Sequence, residues 1–99
     1  MTLANFPVIG NTDVINDAIK HYGMTMQMIV AIEEMSELTK VIIKDFRNVD
    51  GARDQIVEEM ADVYIMLAQL EIIFEAQNDL YEIVDRKLER LEKRMEIDK

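Results

Sequence analysis

No proline or glycine falls inside a long periodic segment of this chain: Pro7, Gly10, Gly23 and Gly51 all stand between such segments. Uninterrupted stretches whose apolar residues recur every three or four positions favour helices over strands and turns. At 99 residues, 49% of them hydrophobic, the chain has material for one domain with a modest core. The expected fold class is all-α, a four-helix bundle-type arrangement forming a single domain over residues 1–99, with 1–10 as an irregular lead-in.

Asn11 or Thr12 is the expected N-cap of a first helix, which carries Val14, Ile15, Ala18, Ile19 and Tyr22 at helical spacing and stops at Gly23. Thr25 is expected to cap a second helix running to about Phe46, with Met28, Ala31, Ile32, Met35, Leu38, Ile42 and Phe46 on its inner face. Arg47 to Gly51 reads as a turn. A third helix begins near Ala52, with Ile56, Met60, Val63, Leu67, Leu70 and Phe74 on one stripe. Asn78 or Asp79 is the expected cap of a fourth, which carries Leu80, Ile83, Val84, Leu88, Leu91 and Met95. Its densely charged end, Arg86 to Arg94, reads as a solvated face laced with salt bridges. The methionines read as adaptable core filling, and His21 as a structural histidine at a helix C-terminus.

The third helix also carries Ile65, Ala68 and Ile72 on its far side, and from Val63 to Phe74 its strongly polar members are Gln69 and Glu71. A helix apolar almost all round is normally buried on every side, and a chain this short has little with which to cover it. This helix is expected to face another subunit.

The acidic residues supply the chemistry. Glu33-Glu34-Met35-Ser36-Glu37 lies on the second helix and Glu59-Met60-Ala61-Asp62 on the third, each with carboxylates at i, i+3 spacing and so on one helix face. Glu34 and Glu37 are expected on the flank of the second helix's apolar stripe and Glu59 and Asp62 on the flank of the third's, whereas Glu33 falls toward Lys40 and Lys44. Half-buried carboxylates repel one another and lose hydration unless protons or a cation offset the cost.

Oxygen-only ligands suit Mg²⁺, Mn²⁺ or Ca²⁺. A di-iron bundle would use Glu-x-x-His pairs, but Glu37 and Asp62 stand at the third positions here. An EF-hand needs a loop, whereas these acids sit on helices. Mg²⁺ bound by a few carboxylates commonly bridges to substrate phosphates, which points to phosphoanhydride or phosphoester hydrolysis. There is no Walker loop, glycine-rich phosphate cradle or serine triad to compete. A purely structural acidic helix pair and a non-catalytic acidic helical oligomer, acting as an interaction or divalent-ion-binding module, are the alternatives.

With no cysteine in the chain, disulfides, thiolate metal sites and cysteine nucleophiles are excluded. The formal charge of -9 argues against nucleic acid as a partner. Neither a signal segment nor a membrane span is expected, so the expected location is cytoplasmic.

The pattern Glu33-Glu34-x-x-Glu37, then twenty-one residues, then Glu59-x-x-Asp62, resembles the signature of the MazG-like family of all-α nucleoside triphosphate pyrophosphohydrolases. Ile32 and Leu38, Glu58 and Val63, and Lys87-Leu88-x-Arg90 near the end extend the resemblance over about Gln27 to Arg94. It implies a MazG-like bundle completed by homo-oligomerisation, as a homodimer or homotetramer. By the same resemblance Glu34, Glu37, Glu59 and Asp62 bind Mg²⁺, with Mn²⁺ as a substitute, and Glu33 orients or deprotonates the attacking water. Lys40, Lys44, Lys87 and Arg90 become candidate phosphate contacts. The implied reaction is hydrolysis of a nucleoside triphosphate to the monophosphate and pyrophosphate, in a nucleotide-pool house-cleaning role. No residue is assigned to the base.

Overall fold

The computed structural model describes residues 12–98 as four helices: α1 (Thr12–Tyr22), α2 (Met24–Phe46), α3 (Ala52–Ile73) and α4 (Gln77–Ile97). No strand occurs among the described residues. The expected lead-in and the Asn11 cap lie outside them.

The breaks fall where backbone freedom was expected. Gly23 takes φ +90° between α1 and α2, and Gly51 takes φ +81° as the N-cap of α3, both in the region that side chains make costly. The caps differ from expectation. Gly23, not Thr25, is the N-cap of α2, and Ala76, not Asn78 or Asp79, is the N-cap of α4. Neither cap makes a side-chain hydrogen bond, so these helices start because the preceding turn ends and not because a polar side chain holds the first N–H groups.

The helices α2 and α3 form the main packing pair, with α1 laid across both and α4 touching α3 alone. The less exposed face of α2 runs Gln27, Ala31, Glu34, Leu38, Val41, and that of α3 runs Ala52, Ile56, Glu59, Val63, Met66, Leu70, Ile73. Steps of three and four residues make these two straight seams. They differ from the expected stripes: Ile32, Met35, Ile42 and Phe46 on α2, and Met60, Leu67 and Phe74 on α3, are all exposed. Ile15 and Ile19 of α1 pack with Ala68, Ile72 and Ile73 of α3 in a small apolar cluster. Burying each of those two isoleucines contributes roughly 1.5–3 kcal/mol.

Gln27 and Gln69 fix the register of α2 against α3. Both are buried, and the Gln27 Nε2 donates to the Gln69 Oε1 at 2.7 Å. The Gln69 Nε2 in turn points at the Met66 Sδ, 3.6 Å away. Removing one partner strands the other, so Gln27→Leu alone is expected to destabilise by about 1–3 kcal/mol, while Gln27→Leu with Gln69→Leu recovers most of that loss. Urea unfolding of the two variants measures this, and a double variant as unstable as the single one would show that the pair does not act as a unit.

One chain leaves much apolar surface uncovered. No residue of α4 is buried, and its Leu80, Ile83, Leu88, Leu91 and Met95 are exposed. Met24, Met26, Met35, Met60 and Met95 are exposed too, so most methionines are not the core filling that was expected. The charged end of α4 is not laced with salt bridges, since the ion pairs among the described residues are Lys40–Glu37 and Arg53–Asp54. The radius of gyration, 16.0 Å, exceeds the ~13 Å of a compact domain of this length, and α4 contacts α3 alone among the helices. Among the described residues, no helix is long and apolar enough to cross a membrane.

Candidate metal centre

Seven residues along α2 from the Gln27 anchor comes Glu34, and seven residues back along α3 from Gln69 comes Asp62. Two helical turns from the amide pair on each antiparallel helix, those positions meet. Carboxylate oxygens of Glu34, Glu59 and Asp62 all lie within 4.8 Å of one another. Glu34 and Glu59 occupy the seams themselves and are half-buried, while Asp62, about 60° around α3 from Glu59, is exposed at the rim. The two glutamates are thus more central than the flanking places expected of them, and the site opens toward the Asp62 side.

The electrostatics are those of an uncompensated cluster. The Glu34 pKa is raised from the ordinary 4.5, first by burial, then by the negative charges of Asp62 and Glu59, and by the hydrogen bonds to both that a proton on Glu34 would make. Glu59 Oε2 is buried with no hydrogen-bond partner among the described residues. As carboxylates the three groups only accept hydrogen bonds, so none satisfies another without a proton. Neither ion pair among the described residues reaches them.

This donor set fits a hard divalent cation. Opposite ligands of an octahedral Mg²⁺ shell stand about 4.2 Å apart, so oxygens within 4.8 Å need only side-chain adjustment to close on one ion. The orphaned Glu59 oxygen is the sort of acceptor such an ion satisfies.

The remaining expected residues are placed less closely. Glu37 is exposed, about 60° around α2 from Glu34, and accepts a hydrogen bond from Lys40 Nζ at 3.1 Å instead of joining the three. Glu33 is exposed on the same turn as Glu34 but farther from the seam. Lys44 is exposed near the end of α2. Lys87 and Arg90 lie on α4, which does not contact α2, so the fold of one chain does not enclose the cluster with them.

An apolar cleft of about 240 Å³ opens between Leu38, Met60, Val63, Tyr64 and Leu67, one turn from the carboxylates. Sequence reasoning missed its place because Met60 and Leu67 were expected inside the helix pair. Sequence reasoning also missed Glu71 and Gln27 as buried groups. The signal for Glu71 was its isolation in an otherwise apolar run. No protein-family model, curated protein or solved structure matches this chain.

Proposed function

We propose that this chain is a Mg²⁺-dependent nucleoside triphosphate pyrophosphohydrolase, cleaving (d)NTP to (d)NMP and pyrophosphate. The observation that carries the metal requirement is the convergence of Glu34, Glu59 and Asp62 oxygens within 4.8 Å across two helices. The choice of a nucleoside triphosphate rests on the resemblance of Glu33-Glu34-x-x-Glu37 and Glu59-x-x-Asp62 to the MazG-like signature.

In this reading Glu34, Glu59 and Asp62 hold the ion, and Glu37 joins them by leaving Lys40. Bound there, Mg²⁺ supplies charge neutralisation for the polyphosphate and Lewis acidity toward water. Glu33, outside the cluster and open to solvent, accepts a proton from the attacking water or orients it. Lys40, freed from Glu37, and Lys44 offer cations on the α2 side for phosphate oxygens. Lys87 and Arg90 are reserved for the same role. The apolar cleft beside Leu38 and Tyr64 offers a wall for the uncharged part of a substrate.

The test is pyrophosphate release from a panel of ribo- and deoxyribonucleoside triphosphates with Mg²⁺ and with Mn²⁺. Release from at least one, stopped by EDTA, is expected. No release from any would overturn the enzyme reading. The exposure of Asp62 and the Glu37–Lys40 pair favour one second reading, a divalent-ion-binding helical oligomer without turnover. Metal-dependent stabilisation without pyrophosphate release would be its signature.

The bundle is completed by a second copy, as a homodimer or homotetramer. Uncovered apolar residues on α3, including Ile65 and Leu67, and the unburied stripe of α4 support this. The expected solution mass is at least twice that of one 11.5 kDa chain. A monomer by light scattering at micromolar concentration would refute it.

A further inference from the structure

Glu71 lies on α3 nine residues beyond Asp62, about 13 Å along the axis and on the opposite side of the helix. It belongs to a different part of the molecule from the carboxylate centre. Only 6% of it is exposed, and its Oε1 has no hydrogen-bond partner among the described residues. Together with Glu75, Gln77, Asn78 and Ile72 it lines a cleft of about 400 Å³ where α3 turns into α4.

We propose that this corner is a second ligand site, taking a small organic cation that carries a primary ammonium group against the Glu71 carboxylate. Three observations converge on a cation. A buried carboxylate oxygen without a donor is costly, and an ammonium brings three donors with a charge of the right sign. The last turn of α3 carries no basic residue of its own to meet the partial negative charge of that helix end. Two acids line the cleft, and no basic side chain among the described residues lines it, which disfavours an anion.

The walls also narrow the kind of cation. A bare divalent ion wants six or more oxygens in a tight shell, and among the described residues the cluster of three or more acids suited to one is Glu34, Glu59 and Asp62. A cleft of about 400 Å³ instead suits an ion with an organic body. Gln77 and Asn78 offer carboxamide oxygens for the remaining ammonium protons, Glu75 adds a second negative charge at the mouth, and Ile72 gives the alkyl part an apolar contact. Burial raises the Glu71 pKa, and an ammonium held beside the carboxylate opposes that shift.

The probe is n-butylammonium chloride in EDTA, compared with sodium chloride at equal ionic strength and with n-butanol. Two readouts are thermal unfolding and the side-chain amide resonances of Gln77 and Asn78. At ten times its Kd the ammonium is expected to raise the midpoint by roughly 5 °C or more over both controls and to move both amide resonances. Glu71→Gln is expected to abolish both effects and Asn78→Ala to weaken them. If Glu71→Gln does not fold, the Asn78→Ala variant and the wild-type resonances decide alone. The proposal is overturned if butylammonium acts no better than sodium or butanol, or if Glu71→Gln responds like wild type. It is equally overturned if Glu71→Gln changes the solution mass while free butylammonium leaves wild type unmoved, because the partner of Glu71 is then a lysine of another copy.

Discussion

Glu59→Gln and Asp62→Asn are each expected to cut pyrophosphate release by about a thousandfold, the several kcal/mol that a misplaced divalent ion withdraws from a polyphosphate transition state. The helices should survive both changes. Asp62 is exposed, and neutralising Glu59 removes one of three mutually repelling groups, one of its oxygens buried without a donor among the described residues. Circular dichroism should therefore match wild type while the stabilisation of wild type by Mg²⁺ is lost. Glu33→Gln separates roles. In the proposed mechanism it keeps the metal-dependent rise in unfolding midpoint and loses turnover. Variants of Glu59 and Asp62 with wild-type rates would remove the cluster from the chemistry, and a Glu33→Gln enzyme with full activity would leave the water without its proposed base.

Glu37 gives a sharper comparison, because its structural position and its proposed role differ. In the fold it is bound to Lys40 on the surface, and only the resemblance makes it a ligand. If it joins the metal, Glu37→Gln weakens Mg²⁺ binding as Asp62→Asn does. If the three-carboxylate set is complete, Glu37→Gln leaves Mg²⁺ binding unchanged.

The helices were legible because Gly23 and Gly51 mark two of the three breaks and long stretches lack both glycine and proline. Which face of each helix turns inward was less so. Apolar residues wrap most of α2, so hydrophobic spacing alone favoured Ile32, Met35, Ile42 and Phe46, all exposed in the fold. The seam chosen instead passes through Gln27, a polar residue outside the expected stripe, and through Glu34, expected only on its flank. Gln27 is admitted because Gln69 stands opposite to accept its hydrogen bond, and Glu34 meets the acids of α3, facts of pairing between helices that one helix's pattern does not contain. The same reason places Glu34 and Glu59 deeper than a flank and leaves Glu37 out of the cluster. The caps failed for a local reason: Thr25, Asn78 and Asp79 have the right chemistry for an N-cap but lie one or two residues inside helices that the preceding turns have already started.

Without metal, Glu34→Gln is expected to be more stable than wild type at neutral pH, and with saturating Mg²⁺ less stable. The sign follows from linkage. The Glu34 pKa is raised in the fold above its ordinary 4.5, so between those two values the folded chain holds more protons than the unfolded chain. Stability then falls as pH rises through that window, and the penalty is complete above the folded pKa. Below 4.5 both states are protonated and the penalty disappears. The Glu34→Gln variant never carries the charge and so avoids the penalty, which is why the gap between the two proteins in EDTA should close as pH is lowered toward 4.5. Glu71, also raised by burial, tilts both curves the same way and cancels in the difference. Mg²⁺ reverses the order, because the repelling charges become ligands and the native-state gain grows as RT ln(1 + [Mg²⁺]/Kd), about 2.7 kcal/mol at a hundred times Kd. Thermal unfolding of both proteins in EDTA and in Mg²⁺, across pH 4.5 to 7.5, reads both effects. Parallel curves in EDTA would mean that Glu34 feels neither burial nor its neighbours. An unchanged order in Mg²⁺ would mean that Glu34 is not a ligand.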